Sequence, residues 1–242
     1  MHTNTFVRRL SLALLTAAVV SGCAHSPSYD PLDPLERANR AVFTFNAATD
    51  TYVIRPIAKG YTRIVPDFAR SGIRNFLSNL FYPTVIINDV LQWKWKQAGL
   101  DTARFLTNTT AGLGGLMDVA TAAGMPAHDE DFGQTLGYWG LGQGWFIMIP
   151  LLGPSSNRDL IGLGVDGYSN PTILMDTGPR LGTVALVTVD TRASLLGTDK
   201  LVNQQFDPYA FLRSAYLDRR HNLVHDGSPP PEAVDFDFDF DE

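Results

Sequence analysis

The sequence predicts a single, mainly α-helical domain, and three observations support this prediction. Proline and glycine divide the chain into short segments, and most of these carry apolar residues at helical rather than alternating spacing. Several segments begin with residues typical of helix N-termini. Between two ends of unusual composition, residues 33–225 provide enough chain for one sizeable core.

The first predicted helix begins at Asp33-Pro34-Leu35-Glu36. An acidic N-cap, a proline in the first turn and a glutamate three residues after the cap form this start signal. Behind it, one helical stripe is expected to face the interior, namely Leu35, Ala38, Val42 and Phe45.

Two further helices are predicted to begin at Pro66-Asp67 and at Pro83. The side chains expected to face inward are Phe68, Ile73, Phe76, Leu77 and Leu80 on the first and Val85, Ile86, Val90 and Leu91 on the second. Additional helices are predicted near residues 97–110, 112–123, 180–196 and 208–221, the last beginning at Asp207-Pro208.

Residues 137–159, "GYWGLGQGWFIMIPLLGPSSNRD", depart from this helical pattern. Glycines lead into the unbroken apolar run Trp145–Leu152, which ends in a Gly-Pro-Ser-Ser sequence typical of a turn. As a helix the run would reach only about 12 Å, whereas crossing a membrane core of about 30 Å takes roughly 20 helical residues. Residues 144–152 are therefore predicted to be extended.

The N-terminal residues 1–22 have the pattern of a signal peptide: Arg8 and Arg9, then the apolar run Leu10–Val20. Small residues directly before Cys23 resemble a bacterial lipobox, in which the cysteine sulfur is lipidated; the alternative is a secretory signal with an incidental cysteine. Residues 23–32 would then be a lipidated linker. With one cysteine in the chain, an internal disulfide is excluded.

The C-terminal residues 226–242 hold seven acids, no base and three prolines, a composition typical of a disordered acidic tail. Without this tail and the two N-terminal arginines the chain is close to neutral. It therefore lacks the basic footprint of a nucleic-acid-binding protein.

The sequence "LQWKWK", residues 91–96, alternates two tryptophans with two lysines: Trp93, Lys94, Trp95 and Lys96. At a membrane–water interface the rings would lie at headgroup depth and the ammonium groups would extend to water. A surface helix end with one tryptophan packed inward is an equally good interpretation.

Motifs that carry enzyme chemistry fail on their context. Residues 162–167, "GLGVDG", match a dinucleotide fingerprint, but no strand precedes them and Pro171 blocks the required helix, so they are predicted to form a flexible loop. Ser155 and Ser156 lack the second glycine of a nucleophile elbow.

Two histidine-containing clusters are also given structural roles. His221 and His225 are interpreted as solvated side chains, because a metal site needs more ligands. In "HDEDF", residues 128–132, Asp131 is predicted to cap a helix or to pair with an arginine. The sequence thus predicts no catalytic set, no metal site and no cofactor.

Several segments together resemble the VacJ/MlaA lipoproteins: "DPLERANRAVFTFN" (33–46), "RPIAKGY" (55–61), "VPDFARSGIRNFLSNL" (65–80), "PTVIINDVLQ" (83–92), "RFLTNTTAGLGGLMDVA" (104–120), "EDFGQTLGYWG" (130–140), "IPLLGPSSNRD" (149–159) and "DPYAFLRSAYLDRR" (207–220). They follow in the family's order and cover nearly the whole body. The chain departs from the family pattern at Ala38, where phenylalanine is frequent, and at Trp145, where proline is common.

This resemblance implies a helical, disk- or ring-like protein anchored in the inner leaflet of the outer membrane, and Ala24 after the cysteine agrees with that destination. It also implies a non-enzymatic function without a cofactor: an amphipathic channel removes misplaced phospholipid from the outer leaflet. The lipid passes to the soluble periplasmic carrier MlaC, and a trimeric porin braces the lipoprotein. The alternatives are a structural lipoprotein that tethers porins and, with less support, a membrane-anchored phospholipid acylhydrolase.

The apolar segment then has two interpretations. Irregular backbone at membrane depth is tolerated only against protein or a wet cavity, so the segment could dip part-way into a leaflet beside the lipid path; the alternative is a buried core segment. The lipid-path candidates are Gly142, Gly144, Trp145, Ile147 and Ile149.

Overall fold

The computed structural model describes residues 30–230 and confirms the mainly α fold, with one two-stranded sheet. The elements, in chain order, are α1 (Glu36–Thr49), a π-helical segment (Asp50–Ile54), α2 (Arg55–Ile64), α3 (Asp67–Leu91), α4 (Trp95–Thr110), α5 (Val119–Ala122), α6 (Phe132–Tyr138), β1 (Phe146–Ile149), β2 (Gly153–Ser156), α7 (Asn157–Ser169), α8 (Thr177–Ser194), α9 (Asp199–Asn203) and α10 (Pro208–Val224). Short 3₁₀ turns lie at Pro171–Leu174 and Leu196–Thr198. Helix α3 packs along α4, α6 along α7, and α2 against α8.

Helix α1 begins where the sequence predicts, but Asp33 is not its cap. The buried Asp33 carboxylate accepts hydrogen bonds from Asn39 Nδ2 at 2.8 Å, from Arg213 Nη1 at 3.1 Å and from the Tyr209 hydroxyl. The predicted N-cap role is therefore wrong, because the carboxylate is used to join the start of α1 to α10.

The inward face of α1 is rotated from the predicted stripe. Phe45 is 53% exposed and Ala38 is exposed as well, whereas Asn39 is buried. Asn39 accepts from Met148 N at 2.9 Å and donates to Phe146 O at 3.1 Å. Two turns on, Asn46 accepts from Leu151 N at 2.8 Å and donates to Ile149 O at 2.9 Å. The two amides thus bind the hairpin backbone as a neighbouring strand would.

Helix α3 runs without interruption through Pro83, so the predicted new helix at this proline is wrong. Proline removes one backbone donor, but the surrounding helix continues and packs along α4. Phe68 and Phe76, predicted to face inward, are exposed, while Leu77 is buried as predicted. The helix predicted near 112–123 is reduced to α5, because residues 111–117 form turns.

The extended prediction for residues 144–152 is confirmed for β1, which pairs antiparallel with β2 in the register Phe146↔Ser156 to Ile149↔Gly153. The turn lies at residues 150–152, where Leu151 adopts a left-handed φ of 65°. The Gly-Pro-Ser-Ser sequence is strand β2 and not the predicted turn.

Residues 162–167 are helical and belong to α7, so the flexible-loop prediction is wrong. Gly162 is needed here because α6 and α7 cross closely. A Cβ at this position would lie 2.4 Å from the backbone nitrogen of Gly133. The fingerprint-like glycine spacing therefore reflects helix packing.

The described residues contain a small apolar core beneath the hairpin. Phe146, Met148 and Tyr209 are buried together, and Phe146 contacts the rings of Tyr209 and Tyr216 edge-to-face at centroid distances of 6.0 Å. Asp207 caps α10 by accepting from Tyr209 N and Ala210 N, each at 3.1 Å, as the Asp-Pro start signal predicts. The hairpin is thus held between α1 and α10.

Candidate functional site

Away from the hairpin the described residues invert the usual distribution of side chains. Buried polar and charged side chains outnumber buried hydrophobic ones. Large apolar side chains point outward along most helices, for example Phe68 (81% exposed), Leu106, Leu163, Leu174, Leu181 and Val184. Apolar patches of this extent mark contact with a membrane or another protein.

No helix within residues 30–230 is both long and apolar enough to cross a membrane.

The interior between α3, α4 and α6 is a hydrogen-bonded polar network. Gln92 donates from Nε2 to Glu130 Oε2 at 2.8 Å and to Thr135 Oγ1 at 3.1 Å. The Thr135 hydroxyl donates to Asn88 Oδ1 at 2.8 Å, and Asn88 Nδ2 donates to Asp166 Oδ1 at 3.1 Å. Buried polar groups are stable only when they are paired, and here the pairs join helices α3, α6 and α7.

A buried acidic cluster extends this network. Asp89 accepts from Gln97 Nε2 at 2.7 Å, and Lys94 Nζ lies 2.8 Å from Glu130 Oε1. Burial, followed by the neighbouring Asp101 carboxyl group, raises the pKa of Asp89 from 3.8 to about 8. Burial and the Asp101 carboxyl group therefore favour the neutral form of Asp89.

An amphipathic cavity of about 490 Å³ lies between α1, the π-helical segment, the hairpin turn and α8. Its volume falls in the range of ligand pockets, about 300–1,000 Å³. The apolar part of its wall includes Phe43, Met148, Leu151, Leu152, Val187 and Leu195.

Asp50 and Arg192 form the charged end of this cavity. Arg192 binds the Asp50 carboxylate through Nε at 2.6 Å and Nη2 at 3.0 Å. Burial raises the pKa of Asp50, but the hydrogen bonds and charge of Arg192 outweigh it and hold the pKa below its ordinary value. An apolar wall with a charge pair at one end matches the two parts of an amphipathic ligand.

The five lipid-path candidates lie in the hairpin or directly before it, and none of them lines the cavity. Ile147 and Ile149 are half-buried on the β1 face opposite to Phe146 and Met148. Trp145 is exposed, and Gly142 and Gly144 precede the strand in exposed chain. Phe146 and Met148 belong to the core, whereas Trp145 precedes β1 and is exposed; a position of this segment beside a lipid path stays a prediction.

The four interface candidates separate into two groups. Trp93 and Trp95 are exposed and contact each other edge-to-face at 5.7 Å, and Lys96 is exposed beside them. The Lys94 ammonium is instead paired with Glu130 and Asp226. Only three of the four side chains are therefore presented to the surroundings.

The serines and the acidic motif have structural partners. Ser156 caps α7 by accepting from Asp159 N at 3.2 Å, and the buried Ser155 lies in strand β2. Asp131 caps α6 through Gln134 N at 2.8 Å and binds Arg220 Nη1 at 2.5 Å, which confirms both predicted roles.

Within residues 30–230 no group of three or more histidine, cysteine, aspartate or glutamate side chains is arranged to hold a metal ion. The rings of His221 and His225 contact each other at a tilt of 50°, with a centroid distance of 4.6 Å, at the end of α10. Cys23 and tail residues 231–242 lie outside the described residues, so the lipidation and the disordered tail stay predictions.

Sequence reasoning missed the cavity residues Asp50, Arg192, Leu151 and Leu152. They come from segments far apart in the chain, and only the fold brings them together. One local signal existed: Leu151 and Leu152 are the last two residues of the apolar run, directly before Gly153.

Comparison with known proteins agrees with the sequence resemblance. The family model described as MlaA lipoprotein matches residues 31–223. The intermembrane phospholipid transport system lipoprotein MlaA of Escherichia coli (strain K12) is 36% identical over 231 residues, which cover 93% of this chain and 92% of the relative. The protein of the same name from Haemophilus influenzae is 35% identical over 236 residues, covering 94% of this chain and 93% of the relative.

A solved structure described as the structural basis for maintenance of bacterial outer membrane lipid asymmetry is also similar. It superimposes with a TM-score of 0.73 and 35% sequence identity, covering 79% of this chain and 98% of that one.

Proposed function

The chain belongs to the MlaA lipoprotein family, and from this premise we propose that it removes mislocalised phospholipids from the outer leaflet of the outer membrane and passes them toward the periplasm. The amphipathic cavity is the observation that carries the proposal. Its apolar wall and its charged end suit the two parts of a phospholipid, and no covalent chemistry is needed to move one.

The exterior supports a position within the inner leaflet of that membrane. Exposed apolar side chains on α2, α3, α7 and α8 would contact acyl chains, and Trp93, Trp95 and Lys96 would lie at headgroup depth. Polar pairs hold the helices together inside, as expected where the surrounding lipid gives helices no hydrophobic reason to associate.

A lipid anchor at Cys23 completes this placement. Two or more acyl chains give stable anchoring where one chain binds a membrane only marginally. Incorporation of labelled palmitate, abolished in Cys23→Ser, tests the anchor; unchanged labelling of that variant would contradict it.

We propose a non-enzymatic role because the candidate nucleophiles are used structurally. Ser156 caps a helix and Ser155 is buried in the hairpin. Purified protein is expected to release no lysolipid from labelled phospholipid, and turnover lost in Ser155→Ala would contradict this role.

Two proteins complete the proposed pathway. A soluble periplasmic carrier of the MlaC type would accept the lipid, and a trimeric porin would brace the lipoprotein. These partners rest on family membership. A tethering role alone would need an interaction face but no amphipathic cavity.

A pair of neighbouring alanines tests whether the cavity is the lipid path. Ala47 lines the cavity, and Ala48 is exposed next to it on α1. Ala47→Trp should fill the cavity, whereas Ala48→Trp adds the same ring outside it. In cells that lack their own homologue, phospholipid amines in the outer leaflet are labelled with an impermeant reagent.

We expect Ala47→Trp to leave phospholipid in the outer leaflet at normal protein abundance, and Ala48→Trp to restore asymmetry. Full restoration by both variants would contradict the proposed path.

A further inference from the structure

The charged end of the cavity contains more than one ion pair. Arg55 Nη2 lies 3.2 Å from Asp50 Oδ2, the same oxygen that Arg192 Nη2 contacts at 3.0 Å. Asp199 Oδ1 lies 2.7 Å from Arg192 Nη2. Each of the two charges that line the cavity therefore has a second partner, and neither second partner lines the cavity. We call Asp50, Arg192, Arg55 and Asp199 the charge cluster.

Four different elements supply the charge cluster. Asp50 begins the π-helical segment, Arg55 begins α2, Arg192 lies near the end of α8, and Asp199 begins α9. π-helical turns are rare and frequently occur at functional sites. All four side chains are 14–26% exposed, so the cluster is only partly hydrated.

The second partners change what it costs to open the central pair. Separating two partly buried charges is expensive mainly when each is left unpaired. If Asp50 and Arg192 move apart, Asp50 keeps Arg55 and Arg192 keeps Asp199. The opened pair then presents one carboxylate and one guanidinium to the cavity without leaving either alone.

We propose that the charge cluster binds the headgroup of a zwitterionic phospholipid. The phosphodiester binds the Arg192 guanidinium, which favours two-point contact with phosphate oxygens. The headgroup ammonium binds the Asp50 carboxylate, and part of an acyl chain lies along the apolar wall. This inference rests on the proposed lipid-transport function and adds a headgroup class to it.

The zero net charge of the charge cluster makes it selective between lipid headgroups. Two arginines and two aspartates carry no net charge, and a zwitterionic headgroup adds none. An anionic headgroup would bring one uncompensated charge into a partly dry site, which is costly. The charge cluster therefore favours zwitterionic over anionic lipid.

Asp199→Asn tests this selectivity because Asp199 lies behind the site and does not line the cavity. The variant gives the charge cluster one net positive charge and should draw anionic lipid. Asp129→Asn makes the same charge change at an exposed ion pair with Arg219 and serves as the control.

The full-length lipoprotein is extracted after equilibration with vesicles of equal phosphatidylethanolamine and phosphatidylglycerol, and its bound lipid is identified by mass spectrometry. We expect the unchanged protein and Asp129→Asn to carry mostly phosphatidylethanolamine. Asp199→Asn should shift the ratio toward phosphatidylglycerol by roughly fivefold to tenfold, the scale of one partly buried charge interaction.

A cluster that only clamps α8 and α9 to the π-helical segment gives a different result. Asp199→Asn would then lower the recovery of both lipids equally, and an unchanged ratio would overturn the inference while the proposed transport function stands. If Asp199→Asn does not fold, Arg55→Gln gives a net negative cluster. It should reduce binding of phosphatidylglycerol further, and an unchanged ratio again overturns the inference.

An unchanged protein that carries neither lipid would overturn the proposed function itself.

Discussion

The two sides of the molecule are built on opposite rules. Around the hairpin, Phe146, Met148 and Tyr209 form an apolar core of the kind found in soluble proteins. Between α3, α4 and α6, the interior is made of side chains such as Gln92 and Asn88, and phenylalanines point outward. The hairpin side can be stabilised by the hydrophobic effect, which favours burial of apolar side chains away from water. The helical side depends on polar pairing, which suits surroundings of lipid.

The largest expected effect is loss of the apolar core. Phe146→Ala removes a fully buried ring and should lower the free energy of unfolding by about 3–5 kcal/mol. Phe68→Ala removes an equal ring from the exterior, where Phe68 is 81% exposed, and should leave the melting temperature in detergent nearly unchanged.

Equal melting temperatures of Phe146→Ala and Phe68→Ala would contradict the difference between the two sides of the molecule. Phe68→Ala is also expected to weaken the partition of the protein into vesicles.

The next largest effect is damage to the polar interior. Gln92→Leu leaves Glu130 and Thr135 without their shared donor. Each buried group left unsatisfied costs about 1–3 kcal/mol. The variant should therefore be less stable than the parent, although the apolar surface of the leucine offsets part of this cost. Thermal unfolding in detergent measures the loss. A variant more stable than the parent would show that apolar burial, and not polar pairing, governs this side.

A smaller effect is expected from pH. The pKa of Asp89 is raised in the folded protein, from 3.8 to about 8, because of burial and the Asp101 carboxyl group. Its contribution to stability is therefore complete below pH 3.8 and is lost as the pH rises through about 8. Asp89→Asn resembles the protonated form, so its melting temperature should exceed that of the parent by several degrees at alkaline pH and match it in acid.

Asp118 provides a control of opposite sign. Burial raises its pKa, but hydrogen bonds from Thr121 and Arg104 outweigh this and lower the pKa to about 2. The stability that Asp118 provides should therefore be lost as the pH falls below 3.8 toward 2.

An Asp89→Asn melting temperature that tracks the parent at every pH would contradict the neutral state of Asp89.

The smallest effect concerns the glycines before β1. Gly144 has a left-handed φ of 70°, and a Cβ there would lie 3.1 Å from Asn157 Cβ, so Gly144→Val should cost at least about 1–2 kcal/mol. Gly142 has open space around it, and Gly142→Val should keep the parental melting temperature.

Gly142→Val therefore separates function from stability. Phospholipid accumulation in the outer leaflet, with normal protein abundance, would extend the lipid path to this segment. Normal asymmetry would limit the path to the cavity side of the hairpin.

Two helix starts were predictable because their signals are local, whereas the start signals at Asp33 and Pro83 misled. Asp207 caps α10 and Asp131 caps α6, each as its neighbours in sequence predict. The inward faces were harder to predict. Apolar stripes were assigned to the interior, and Phe45 and Phe68 are outside because this protein buries polar groups on the same helices. The spacing of apolar residues identifies the apolar face of a helix, but what surrounds the protein decides whether that face is buried or exposed.

The remaining errors have a common origin in packing. Helices α6 and α7 can cross closely only because Gly162 and Gly133 both lack a side chain. The two glycines lie far apart in the sequence, so this contact could not be predicted. The cavity likewise depends on Asp50 meeting Arg192, and no local signal foretells a pair of residues so far apart in the chain. The first strand of the hairpin was predicted, because its apolar run is bounded by glycine and proline, but the second strand was predicted to be a turn.

The hydrogen bonds that join Asn39 and Asn46 of α1 to the hairpin also have a consequence for aggregation. An exposed strand edge is a template for strand addition by another molecule, and apolar strands such as β1 are the most prone to it. Asn39 and Asn46 occupy backbone groups of β1 and of the turn after it that a foreign strand would otherwise bind. Two helical amides thereby protect an apolar strand from pairing with another molecule, without adding a charge to an apolar surface.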